Sequence, residues 1–248
     1  MIQQFRPGGF NMLPMVVKNL LIINGLFFLA TLALASSVRI DMVDLFGLHY
    51  PGTENFGVWQ LVSYMFMHGG IAHIFFNMFA LWMFGNVLEN VWGPKRFLNY
   101  YLITGIGAGL IHLLVTWIRV SALIPDMQPE EINLVYKEGL NVLERGMNYQ
   151  DELMGKLNIL IHTPTIGASG AVFGILLAFG MMFPNSLIYI YFAIPIKAKY
   201  FVMIYGALEL YSGFANNPGD NVAHFAHLGG MVFGFFVIKY WKKKGTLY

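Results

Sequence analysis

Cysteine is absent from the 248-residue chain. That excludes disulfides, thiolate metal centres and a cysteine nucleophile, although it does not identify the compartment. Charge is scarce: Asp, Glu, Lys and Arg together make up 11% of residues, and the formal net charge is +2. So small an excess gives no electrostatic footprint for nucleic acid. The chain has no H-E-x-x-H motif, so it lacks the paired-histidine zinc site that such a helix carries. It also has no internal repeat or low-complexity tract, and transporter folds are commonly built from repeats.

Apolar residues dominate instead. They form 57% of the chain and give a mean hydropathy of +0.59, whereas a soluble domain is roughly 45–50% apolar and 25% charged. The composition predicts an all-α, polytopic membrane protein with one domain over 1–248. Six stretches have the length or apolarity of a membrane span: about 16–36, 71–91, 97–118, 168–184, 198–213 and 223–241. The fourth and fifth are short. Short spans interrupted by Gly or Pro persist in a bilayer where neighbouring protein or a wet cavity satisfies the freed backbone groups. Met1–Pro14 does not read as a cleavable signal, because the apolar stretch after Lys18 runs to about Ala35 without a small-residue cleavage pattern.

Orientation follows from Lys and Arg. One side of a six-span chain receives Arg6, Lys18, Lys95, Arg96, Lys197, Lys199, Lys239, Lys242, Lys243 and Lys244, ten of the 15 basic residues. Both termini are therefore expected to be cytoplasmic. The opposite side receives 37–60, the long segment 119–166 and the short connection 214–222. Segment 119–166 carries Pro125, Pro129 and Glu130-Glu131, then Ile132, Leu134, Val135, Leu140, Val142 and Leu143 at loosely helical spacing. It reads as one or two amphipathic helices on the outer surface, serving as a solvated spacer or as a contact to membrane or partner.

Polar residues inside spans are costly and mark functional sites by default. Here they cluster. The second span opens on His68-Gly69-Gly70-Ile71-Ala72-His73 and reaches Asn77. The fourth opens on Gly167-Ala168-Ser169-Gly170, with Phe173 and Gly174 following, and the sixth contains His224-Phe225-Ala226-His227-Leu228-Gly229-Gly230, with Gly234 beyond. All three clusters fall at the outer ends of even-numbered spans, at one depth. His73 and Asn77 share a helix face. Gly170/Gly174 and Gly230/Gly234 each form a G-x-x-x-G that permits close helix approach, so the fourth and sixth spans are expected to pack glycine to glycine and bring Ser169 level with His227. A serine hydroxyl needs an adjacent base to act as a nucleophile. An oxyanion needs donors, and His73, Asn77 and the Ser169 N–H are available. With no acidic residue placed among these clusters, a Ser-His dyad is expected rather than a triad.

Three motifs, G-A-S-G at 167–170, H-G-G-I-A-H-I-F-F-N at 68–77 and A-H-L-G-G with Gly234 at 226–234, closely resemble those of the rhomboid family of intramembrane serine proteases. The resemblance runs from about Asn11 to the last span. It implies a six-helix rhomboid-like bundle in which Ser169 is the nucleophile, His227 the general base, and His73 with Asn77 the oxyanion pair. It further implies a supporting role for Gly167, a structural hydrogen-bonding role for His68, and packing of Phe173 on the catalytic histidine. The spacing to Gly230 and Gly234 selects His227 over His224. Two departures stand out. The family's outer loop often carries Trp-Arg where this chain has Trp59-Gln60, and the 119–166 insert is longer than the short loop of compact bacterial members.

The expected activity is hydrolysis of peptide bonds in single-span or other transmembrane substrates, without cofactor or metal, in lipid. The expected setting is a bacterial cytoplasmic membrane with the site near the outer face. The alternative is a catalytically silent relative that binds membrane helices. Bland readings exist for each residue. Ser169 alone would pass for a small residue at a tight helix contact, His68 and His73 for metal ligands, and Glu209 for an acid bonded within the bundle rather than a proton-relay member. Trp82, Trp92 and Tyr100-Tyr101 read as interface or packing aromatics.

Overall fold

The structure is a computed structural model that describes residues 11–38, 40–190, 193–215 and 222–245. Arg6, Arg39 and most of the 214–222 connection lie outside these residues. The helices run α1 (Met15–Ser37), α2 (Met42–Phe46), α3 (Gln60–Ser63), α4 (Ile71–Ala80), α5 (Asn86–Trp92), α6 (Pro94–Leu123), α7 (Pro129–Glu144), α8 (Glu152–His162), α9 (Ser169–Met182), α10 (Ala198–Ala215) and α11 (His224–Lys243). A π turn over Leu81–Gly85 joins α4 to α5 in one long helix.

Local sequence sets the breaks. Gly93 at φ +80 allows the sharp turn before Pro94, which opens α6 at the position where a missing N–H costs nothing. Helix α7 starts in a capping box, with Glu131 accepting from the Gln128 N–H at 2.8 Å. Helix α1 starts after Pro14 with no side-chain cap of its own. Its first free N–H groups are taken by a residue 72 positions away: Glu89 accepts from Val16 at 2.9 Å and from Val17 at 2.8 Å. A carboxylate there meets the positive end of the helix dipole. Asn86 and Asn90 donate to the Met12 and Asn11 carbonyls beside it.

Among the described residues three helical runs are long and apolar enough to cross a membrane: Met15–Ser37, Ile71–Trp92 and Pro94–Asp126. Only 11% of the most apolar window of α1 is buried within the protein, so most of that surface requires lipid. Helix α9 is apolar but only 14 residues long. Helices α10 and α11 have 18 and 20 residues; Lys199 and Glu209 in the one, and two histidines and Lys239 in the other, lower their hydropathy. The polar groups that mark a site also weaken the span signal of the helices carrying them.

The insert forms two helices, α7 and α8, with a small core of Val135, Met154, Leu157 and Ile161 against Val120 at the end of α6. Their apolar faces thus cover each other. Gly139 lies so close to Asn158 that a Cβ would overlap its side-chain oxygen. One antiparallel hairpin pairs β1 (Leu187–Ile190) with β2 (Ile194–Lys197), in a stretch that the sequence suggested only as a connection.

Helices α6, α9 and α11 pack at the centre through small residues. A Cβ on Gly230 would overlap the Gly170 carbonyl, so α9 and α11 touch backbone to backbone as expected. The second glycines of the two motifs serve a different neighbour. Gly174 faces Thr104 of α6, and Gly234 faces Tyr100 of α6, whose hydroxyl donates to the Gly174 carbonyl at 2.8 Å. Overfilling such a contact costs about 1–3 kcal/mol. Gly230→Ala is therefore expected to lower the unfolding temperature in detergent and to reduce any Ser169-dependent reactivity. Gly25→Ala, which meets no atom within 4 Å, should leave both unchanged or raise stability slightly.

Candidate active site

Ser169 is the first residue of α9, where N–H groups have no intrahelical acceptor. The loop leading to it is held at three points. Thr165 pairs with Leu48 through two backbone hydrogen bonds of 2.8 and 2.9 Å, and its hydroxyl lies 2.7 Å from His112 Nε2. Gly167 donates its N–H to the carbonyl of buried Tyr64 at 2.9 Å. Gly167 has φ +126, a region side chains rarely adopt, and a Cβ there would stand 2.8 Å from His73 Nε2. Only glycine suits that position, for conformation and for space.

His227 sits in the first turn of α11, and its Nε2 lies 2.8 Å from Ser169 Oγ. Phe173, one turn after the serine, stacks on the imidazole with centroids 4.2 Å apart and planes 7° from parallel. Tyr205 of α10 stacks on Phe173 in turn at 5.3 Å. The ring of His227 is thereby held flat.

His73 approaches from α4. The Gly69 N–H donates to its Nδ1 at 3.3 Å, so in the neutral ring the hydrogen belongs on Nε2. The same imagined Cβ on Gly167 lies 3.5 Å from Ser169 Oγ, so the His73 N–H and the serine hydroxyl border one small space. Asn77 sits one turn farther along α4, buried, and uses its amide to donate to the His73 carbonyl at 2.9 Å. No hydrogen bond joins Asn77 to Ser169 or His227 among the described residues. His68 is 2% exposed and meets the edge of the His73 ring, with centroids 5.0 Å apart. By strict hydrogen-bond geometry its ring nitrogens meet no partner among the described residues, although the Phe66 backbone lies near enough to act on the imidazole.

The expectation that no acid accompanies these residues does not hold. Glu209 Oε2 lies 2.8 Å from His227 Nδ1 and 2.7 Å from His224 Nδ1. The carboxylate comes from α10, 18 positions before His227, so no sequence spacing announces it. The available signal was the cost of an ionisable group in an apolar helix. The donor atoms of Glu209, His224 and His227 lie within 4.8 Å of one another, near enough to share a divalent cation, but Oε2 already serves both imidazoles directly. Arg119 of α6 fixes the nearby end of α10, donating to the Gly213 carbonyl at 2.7 Å and lying over the Phe225 ring.

Gln60, at the position where the resemblance led to arginine, ties together the segment before α3. It is buried, accepts from the N–H groups of His49 and Gly57, and donates to the Asn55 carbonyl at 2.8 Å.

The model of the rhomboid domain matches residues 55–122 and 141–243, well over half of the chain. The chain belongs to the rhomboid family. It is 28% identical to RHOMBOID-like protein 12, mitochondrial, of Arabidopsis thaliana, over 76% of this chain and 48% of that protein. It is 26% identical to Rhomboid protease GluP of Bacillus subtilis, over 72% of this chain and 25% of that one. The mitochondrial Rhomboid protein 1 of Saccharomyces cerevisiae is 24% identical over 71% of this chain and 39% of its own length. The chain thus matches half or less of each of these relatives. The unmatched residues 123–140 contain most of α7.

Two outcomes follow. Gly167→Ala should reduce reactivity at Ser169 by at least about 10²-fold, because the added methyl displaces the His73 donor; rates on the purified variant check this. Burial, then the neighbouring His73, pushes the His68 pKa down from 6.5 to about 4. The unfolded chain therefore takes up a proton near pH 6.5 that the folded chain refuses until about pH 4. Stability from this group is whole above pH 6.5 and falls by about 3 kcal/mol as pH drops through 4. Unfolding measured across that window should show the loss, and His68→Phe should make it smaller.

Proposed function

We infer that the chain is an intramembrane serine endopeptidase acting on transmembrane protein substrates. The observation that carries this reading is the 2.8 Å contact from Ser169 Oγ to His227 Nε2 beside the His73 Nε2–H. Family membership agrees with it, and a relative bearing the name Rhomboid protease GluP supports the activity.

In the proposed reaction Ser169 Oγ attacks the scissile carbonyl and its proton passes to His227 Nε2. The oxyanion receives hydrogen bonds from His73 Nε2–H, from the Ser169 N–H and, after a change of its amide hydrogen bonding, from Asn77. Collapse breaks the C–N bond as His227 returns the proton to the leaving amine. Water then attacks the acyl-enzyme ester, His227 takes its proton, and Ser169 leaves as the alcohol.

A transmembrane helix shields its carbonyls in i to i−4 bonds, so a substrate must unwind locally before attack. Helix-weakening Gly or Pro near the cut favours that. The distribution of Lys and Arg supports both termini on the cytoplasmic side of the membrane, with the site near the outer face. Six spans over one domain remain the topology that best fits this orientation.

Cleavage of a labelled transmembrane substrate by the purified chain tests the reading. Ser169→Ala and His227→Ala should each lose at least about 10³-fold in kcat, and Asn77→Ala should slow cleavage by a smaller factor without abolishing it. Undiminished cleavage in either of the first two variants would sink the assignment. A wild-type chain that binds the substrate helix without cutting it would favour the silent relative instead.

A further inference from the structure

We propose that Glu209 is a positioning residue for His227 and that His224 holds its carboxylate in place. The inference rests on the proteolytic reading for its consequence, but its geometry stands independently. One oxygen, Oε2, faces both Nδ1 atoms, at 2.8 Å from His227 and 2.7 Å from His224. An ionised carboxylate has lone pairs and no hydrogen, so both nitrogens must donate to it. Each ring therefore carries its hydrogen on Nδ1. For neutral His227 this leaves Nε2 as an acceptor, and Nε2 is the atom 2.8 Å from Ser169 Oγ. Glu209 thus selects the tautomer that can take the serine proton.

The carboxylate also fixes the ring in the one direction that stacking leaves free. Phe173 lies parallel to the imidazole at 4.2 Å and resists tilting, yet a stacked ring can still turn within its own plane. The Nδ1–H bond to Glu209 stops that turn. When the serine proton reaches Nε2, the imidazolium has an anion against its other nitrogen, in a setting where such attraction is weakly screened. His224 lies three residues before His227 on the same face of α11, and its second hydrogen bond to Oε2 restrains the glutamate. The Arg119 contact to the Gly213 carbonyl, one turn beyond Glu209, holds the same end of α10. The histidine that glycine spacing rejects as the base thereby acquires a role of its own, through the acid.

The test measures kcat and KM separately on the full chain in lipid nanodiscs with a labelled transmembrane substrate. Glu209→Gln keeps the side-chain shape but offers an amide that no longer enforces the Nδ1–H form. It should lower kcat by about 10²-fold or more with KM within about threefold. His224→Ala should lower kcat by about tenfold. A Glu209→Gln chain with wild-type kcat, or one in which only KM rises, overturns the proposal. Should the variant not fold, nitrogen-15 NMR of histidine-labelled wild type decides: hydrogen on Nδ1 of His227 is expected, and hydrogen on Nε2 overturns it. A wild type that shows the Nδ1–H form yet cuts nothing would defeat the proteolytic reading and leave the placement of Glu209 intact.

Discussion

The contact between the backbones of Gly170 and Gly230 is the constraint on which the site depends. Membrane helices gain little from apolar burial, because lipid is as apolar as their side chains, and close van der Waals approach must do that work. Here α9 and α11 come together until no Cβ fits between them. Ser169 and His227 each lie within one turn of that contact. Their 2.8 Å separation is a consequence of two glycines rather than of flexible side chains reaching across a gap. The second glycine of each pair gives its space to α6, through Thr104 and Tyr100, so a third helix braces the first two.

Around this contact the polar groups are gathered into two small societies at opposite ends of the bundle. At one end Glu89 and its asparagine neighbours close the start of α1. At the other, Glu209 lies between two imidazoles. Each glutamate removes a debt that lipid cannot cover, the first for free helix N–H groups and the second for ring nitrogens. An unpaired acid in either place would carry a severe desolvation penalty. The first arrangement builds the fold. The second stands directly behind the histidine that contacts Ser169.

Much of the site was legible in the chain because its signals are local. Gly167 before Ser169, and the paired glycines after Ser169 and His227, state their requirement for close approach within a few residues. His73 and Asn77 announce a common face by their spacing of four. Glu209 was visible as an acid in an apolar helix, but its partners were not, because which turn of α10 faces α11 is set by tertiary packing and not by any local spacing. The β1–β2 hairpin escaped notice because its residues form a short apolar run that periodicity alone does not separate from a connection. Of the six expected spans, the fourth and fifth already short, three runs qualify by length and composition among the described residues, and the polar residues of α10 and α11 lower the apolarity by which those two would be counted. His68 shows the converse limit: the motif located it, but only packing revealed its ring contact with His73.

The central claim is that helix packing makes Ser169 a reactive nucleophile, and chemical labelling tests this without knowledge of any substrate. The folded chain in lipid is treated with a fluorophosphonate, digested, and its modified peptide sequenced by mass spectrometry. The account predicts a single phosphonylated residue, Ser169, and no labelling when His227 is replaced by alanine. Modification of another residue, or an unlabelled Ser169 in protein that remains folded, would contradict it.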